Sequence, residues 1–282
     1  MREYLDLVQR VLDNGVLKKN RTGTDTISGF AEFYRVDLSK GFPLLTTKKV
    51  IFRSVILELL WYLRGEDHIR WLRDENNCHI WDAWADESGH VGPIYPVLWR
   101  KFPSLNEEEI VLDGNAASIT QTAWSKDSVD QIKNVIHTLK TNPESRRMVV
   151  SAWHPGLLNQ MALPPCHIMF IFNVANGKLN CHLTQRSGDI ALGIPFNLAC
   201  YSALTMAIAQ EVGLEPGEFA HTIVDAHIYV NHVDGLKEQL KREPRSLPTL
   251  KINPKPVDEL TLEDFILEGY DPHPGIKFEV AV

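Results

Sequence analysis

The sequence predicts an α+β fold in which long strands and strongly apolar helices share one core. Three observations carry that expectation. The chain has 282 residues, 44% hydrophobic and 23% charged, enough to bury a sizeable interior. No repeat, low-complexity tract or Gly/Ser linker interrupts it, so residues 1–282 read as a single domain. Two periodicities coexist, with apolar positions alternating in some stretches and recurring at helical spacing in others.

Taken in order, Tyr4, Leu5, Val8, Val11 and Leu12 share one side of a helix that stops at Asn14-Gly15. Arg21 to Asp25 is a polar loop, and Thr26 to Leu38 alternates as a strand. Phe52 to Leu63 is a strongly apolar helix ended by Gly65, with Glu58 inside it. Ser104 to Asp130 is polar and weakly periodic, a surface excursion at about 104–130, after which DQIKNVIHTLK resumes the fold as a helix. His167 to Gln185 reads as a hairpin, because IMFIFNV and LNCHLTQ flank Asn176-Gly177, a pair that tolerates positive φ at both turn positions. Phe196 to Val212 is apolar nearly all round, the mark of a central buried helix. Asp225 to His232 alternates as a strand, with Asp225, His227 and Tyr229 on one side.

Lys plus Arg number 29 against 36 Asp plus Glu, a net charge of -7, which argues against a nucleic-acid polymer or an anionic membrane as partner. No apolar run approaches the roughly 18 to 20 residues of a membrane helix. The opening MREYLDLVQR is acidic where a signal peptide is basic, so a cytoplasmic location is expected, the host cytoplasm if the source is viral. The four cysteines, Cys78, Cys166, Cys181 and Cys200, form no CxxC pair and no disulfide framework, and read as free thiols.

The densest chemistry lies in LPPCH (163–167) and QRSGD (185–189). A cysteine between Pro-Pro and a histidine is placed by its backbone, and a nearby arginine favours the reactive thiolate. A small buried hydrophobe is the plainer reading for a free cysteine, and it suits Cys181 and Cys200, which sit inside apolar patterns. Arg21, Arg146, Arg147 and Arg186 stand beside Thr, Ser or Gly, the composition of a phosphate or carboxylate clamp, against the alternative of surface arginines. Glu58 in an apolar helix is costly unless it is ion-paired or functional. Asp225, His227 and His232 suit hydrogen bonding to a sugar hydroxyl better than a metal site, and no metal is expected.

Together these motifs resemble the thymidylate synthase family. The matching stretches are RTGT (21–24), GFPLLTTKK (41–49), ELLWYLRG (58–65), IWDAWADE (80–87), GPIY (92–95) and SRRMVVSAW (145–153), then LPPCH, QRSGDIALGIPFNLA (185–199), DAHIYVNH and YDPHPGIK (270–277). They are collinear over nearly the whole chain. The resemblance implies a mixed β-sheet packed with helices, with a sheet face forming a homodimer interface. It implies that Cys166 adds to C6 of deoxyuridylate (dUMP), with 5,10-methylenetetrahydrofolate as the one-carbon co-substrate. Arg186 would touch thiolate and phosphate, joined at the phosphate by Arg21 and Ser187 and, from the second subunit, by Arg146 and Arg147. Asn197 would read the uracil face, His227 and Tyr229 the 3′-hydroxyl. Glu58, Tyr95 and His167 would serve proton transfer and its water network. Trp81, Trp84, Leu163, Gly193 and Phe196 would line the folate side, Asp189 would bond the pterin, and the terminal carboxylate of Val282 would close over the site.

The sequence departs from the family's usual pattern at six places: Pro96-Val97-Leu98 after Tyr95, where Gly-x-Gln is usual; His154 for Asn; Ile171 for Gln; Val224 for Gly; Ile51 for His; and Phe278-Glu279 for Ala-Pro. The expectation is that they cluster around one pocket and rework its water structure. That keeps open a pyrimidine nucleotide hydroxymethylase, in which water rather than hydride meets the methylene intermediate. Asn197 favours uracil over cytosine, since the deoxycytidylate branch carries an acidic residue there. An inactive nucleotide-binding homologue is the third reading, opposed by the joint presence of Cys166, Glu58, Tyr95, Arg186 and Asn197.

Overall fold

A computed structural model describes residues 1–20, 22–104 and 128–280. Its centre is a six-stranded mixed sheet in the order β1-β2-β6-β5-β4-β3, from β1 (Val16–Lys18), β2 (Thr26–Asp37), β3 (Val149–Ser151), β4 (His167–Ala175), β5 (Lys178–Asp189) and β6 (Glu215–Tyr229). Every neighbouring pair is antiparallel except β5 and β6, which run parallel through the crossover helix α5 (Gly193–Val212). A parallel pair needs such a connection, because a tight turn can only reverse the chain.

The helices are α1 (Arg2–Asn14), α2 (Phe52–Arg64), α3 (Tyr95–Arg100), α4 (Gln131–Thr141), α5 and α6 (Val233–Leu240), and a two-stranded ribbon joins β7 (Thr249–Ile252) to β8 (Phe265–Glu268). α5 is apolar all round and buried along most of its length, with Leu198, Tyr201, Leu204 and Ile208 in the core. One sheet face meets this layer through Phe170, Phe172, Cys181, Leu183 and Phe219, all buried. Among the described residues the opposite face stays open, and Phe33, Val149 and Val224 are exposed there, with Ile171 partly so.

The hairpin forms as its turn predicts, Asn176 and Gly177 taking φ of 52° and 72°, and Gly65 ends α2 in the left-handed conformation. Gly15 ends α1 for a different reason: its backbone is extended, and a Cβ would strike Ile27 at 2.6 Å. The DAHIYVNH strand is the end of the much longer β6, and Val230–His232 has already turned into a 3-10 helix, so His232 leaves the row of Asp225, His227 and Tyr229. Of the excursion expected at 104–130, residues 105–127 lie outside those described. Its return is anchored where Phe102 pairs with Val129 and Arg100 with Asp130 at 2.9 Å, and Asp130 caps α4.

Candidate active site

Cys166 sits at the junction of the Pro-Pro loop and β4. Its backbone N–H donates to the Tyr95 hydroxyl at 2.7 Å, and its carbonyl accepts from the backbone N–H of Arg186 at 2.8 Å. The Arg186 guanidinium is held by the carbonyls of Pro165 (2.8 Å) and Pro164 (2.7 Å), and its Nη2 comes within 3.8 Å of Cys166 Sγ. Two rigid carbonyls therefore fix a cation beside the sulfur, an arrangement that stabilises thiolate over thiol. Cys78, Cys181 and Cys200 are buried, whereas Cys166 is partly exposed.

Tyr95 begins α3 and stacks flat on His167, ring centroids 3.8 Å apart. His167 Nδ1 pairs with the Tyr201 hydroxyl at 2.7 Å, and burial, aided by the Arg186 charge, lowers its pKa to about 3. It is a neutral imidazole at physiological pH. Burial likewise holds Tyr95 protonated, well above the usual phenol range. Glu58, on α2, accepts from Trp81 Nε1 at 2.8 Å. Burial raises its pKa to about 7 against the opposing bonds from Trp81 and Tyr62. Among the described residues no Lys or Arg pairs with Glu58. A carboxyl poised near neutrality can both accept and return a proton.

A chain of buried polar groups runs behind Asn197. Gln185 Nε2 donates to the Ser187 carbonyl at 2.9 Å and to Asn197 Oδ1 at 3.1 Å, while Gln185 Oε1 faces His221 Nε2 at 2.9 Å. The Ser187 carbonyl can only accept, so the NH2 end of Gln185 must face it. His221 Nε2 then carries the hydrogen. Burial lowers the His221 pKa to about 3, so the ring is neutral and Nδ1 accepts from the Tyr34 hydroxyl at 2.9 Å. The same polarity turns Asn197 Oδ1 toward Gln185 and leaves the NH2 end of that amide for another partner.

Asp189 ends β5 just before α5, where its Oδ1 accepts from the N–H groups of Ala191 (2.8 Å) and Leu192 (3.3 Å). Gly193 opens α5, and a Cβ there would lie 3.8 Å from Asn197 Oδ1. Trp81 packs between Trp61 and Trp84, at 5.2 and 5.5 Å, while Leu163 and Phe196 are half-buried. The parallel register sets Ser187 opposite Asp225 and Asp189 opposite His227, and His227 and Tyr229 meet edge to face at 5.3 Å. The Asp225 carboxylate, held below the usual range chiefly by its bond with His227, also accepts from Ser28 and Lys18.

Arg146 and Arg147 are exposed ahead of β3, and among the described residues neither guanidinium bonds to the Cys166 group. Arg21 and Val282 lie outside the described residues. Gln185, His221, Tyr34, Tyr201 and Lys48 join the site although their types alone did not mark them, whereas His232, grouped by sequence with Asp225 and His227, is turned by the 3-10 helix to stand 3.8 Å from Asp189. Gln185 stands inside the QRSGD motif, but Tyr34 and His221 meet only through the long-range pairing of β2 with β6. The expected clustering of departures is corrected. Ile171 and Val224 lie on the open sheet face, because strand alternation turns them away from Phe172 and Ile223, and Ile51 is 59% exposed at the start of α2. Leu98 is buried, and Phe278 packs against His232.

A partly exposed sulfur under a fixed guanidinium, with a buried carboxyl near neutrality, equips the chain for covalent addition to an electrophilic ring coupled to proton transfer. The family model for thymidylate synthase matches residues 2–282, and the chain belongs to the thymidylate synthase family. The family implies one-carbon transfer, with dUMP and methylenetetrahydrofolate as the two substrates. Among the described residues, no helix is long and apolar enough to cross a membrane and no group of three His, Cys, Asp or Glu is placed to hold a metal ion.

Proposed function

We propose that the chain methylates dUMP at C5, giving thymidylate and dihydrofolate. The observation that carries this reading is the Cys166 sulfur under an Arg186 guanidinium fixed by the Pro164 and Pro165 carbonyls. The Cys166 thiolate adds to C6 of the ring, and the displaced electron pair makes C5 nucleophilic toward the folate's methylene carbon. Tyr95, whose hydroxyl touches the Cys166 backbone, assists removal of the C5 proton, and Glu58 moves protons at O4. Loss of tetrahydrofolate leaves a C5 methylene; hydride from that folate completes the methyl group, and the sulfur departs from C6.

Asn197 supports uracil as the base. Its NH2 end suits a C4 carbonyl and disfavours a C4 amino group, and the Ser187 carbonyl sets that polarity through Gln185. His227 and Tyr229 bond the 3′-hydroxyl, Ser187, Arg186 and Arg21 the phosphate, and Asp189 the pterin. The indoles of Trp81 and Trp84, with Leu163, Gly193 and Phe196, supply the apolar wall that a flat bicyclic ring needs. The open sheet face, with Phe33, Val149 and Val224 exposed, supports a homodimer in which Arg146 and Arg147 cross to the partner's phosphate site.

The hydroxymethylase is the second reading, because Leu98 is fully buried at a position where the family usually has an amide, so the polar wall after Tyr95, and with it the water structure there, differs from the usual one. A dUMP analogue with fluorine at C5 tests the shared first half of both reactions, since C5 then has no proton to lose. With methylenetetrahydrofolate, the protein mass should rise by both ligands together and stay unchanged in Cys166→Ser. An adduct that survives that substitution would show another nucleophile.

A further inference from the structure

Phe278, one of the departures from the family pattern, is 9% exposed although it stands only four residues before Val282. Its ring enters a notch cut in α6 by Gly235, where a Cβ would stand 2.6 Å from Phe278 Cε1. Gly235 is helical and needs no unusual φ, so the close approach of the ring is what calls for glycine, in a helix where alanine is otherwise preferred. A lysine ammonium and an imidazole flank the ring. Lys48 Nζ stands 4.7 Å from its centroid and donates to the Ala191 carbonyl, and the His232 ring lies 5.0 Å away. His232 Nε2 donates to the Glu279 carbonyl at 2.8 Å, while its Nδ1 is 3.8 Å from Asp189 Oδ1. Asn231 adds a long contact of 3.5 Å to the Glu279 carboxylate. Phe278 and Glu279 thus engage the same two groups, Lys48 and His232, that surround the Asp189 turn.

We propose that Phe278 is a positioning residue that anchors the end of the chain against the Asp189 turn, and thereby sets how tightly the folate side of the site excludes water. The product-related part of this inference rests on the function proposed above. An aromatic ring seated in a glycine notch is held by area, by the Lys48 ammonium beside it and by its contact with the His232 ring. Removing it frees the Glu279 backbone and uncovers Lys48 and His232, so water reaches the methylene intermediate more often.

The test uses Phe278→Ala and Gly235→Ala in the full chain, the second pushing the ring out of its notch without touching it. Release of Glu279 by a carboxypeptidase should accelerate at least tenfold in both variants, with the unfolding midpoint of the remaining chain measured as the control for global damage. The KM for methylenetetrahydrofolate should rise severalfold while the KM for dUMP stays within twofold, and the share of 5-hydroxymethyl product should increase. Unchanged release in a folded Phe278→Ala variant would overturn the anchor. Should either variant fail to fold, Phe278→Leu, which keeps bulk but not the ring's pull on Lys48, is expected to show an intermediate release rate, and a parental rate there would overturn the cation contribution. If the parent turned over no nucleotide, the proposed function would fail while the release assay still decided the anchor.

Discussion

Two side chains carry opposite electrostatic instructions at the residue scale. Arg186 is held in place by carbonyls that can only accept, which makes its charge a fixture beside Cys166. Cys166→Ser should lower kcat by at least a thousandfold and leave dUMP binding, read by calorimetry, within a few-fold; equal losses in both would place the sulfur in binding instead. Glu58 titrates near 4.5 when unfolded and near 7 in the fold, so unfolding releases a proton in that window and stability falls as pH rises through it. Glu58→Gln removes this dependence, so its stability advantage should grow between those pH values to on the order of 3 kcal/mol, measured by urea unfolding. A constant difference across pH would contradict a buried, titrating carboxyl.

Local signals were legible at the scale of elements, and pairings between distant ones were not. Asn176-Gly177 announces its hairpin because positive φ is a property of two adjacent residues. Gly65 announces the end of α2 in the same way, yet only the fold shows that a Cβ there would stand 2.8 Å from Arg100 Cβ. Gly65→Ala should therefore cost about 2 kcal/mol or more, adding a clash to the left-handed strain, and a thermal shift would measure it. Cys166, Arg186 and Asn197 could be read from motifs because each lies in a contiguous stretch. Tyr34 and His221 could not, since their hydrogen bond depends on the register of β2 against β6. The departures misled for a related reason: a linear list does not say which face of a strand Ile171 or Val224 occupies.

The sheet has one face packed on α5 and another left open, and that asymmetry governs the whole molecule. The homodimer reading predicts a mass in solution of twice 32.0 kDa, and Val224→Arg on the open face should shift it toward the monomer with loss of activity. An active monomer would contradict the supply of Arg146 and Arg147 across an interface. Acid stability is set by buried imidazoles: His167 and His221 fall from 6.5 to about 3, so unfolding takes up protons and stability rises with pH between those values. Glu58 opposes this only above 4.5, so these three groups together give a local stability maximum close to pH 6.5, and unfolding across pH would show it.

Methylation and hydroxymethylation share every step up to the C5 methylene, which makes the nucleotide product the most direct discriminator between them. The protein is incubated with dUMP and methylenetetrahydrofolate and the product is weighed by mass spectrometry. A nucleotide heavier by one CH2, formed together with dihydrofolate, is the predicted result. A nucleotide heavier by CH2O, with tetrahydrofolate released, would contradict it.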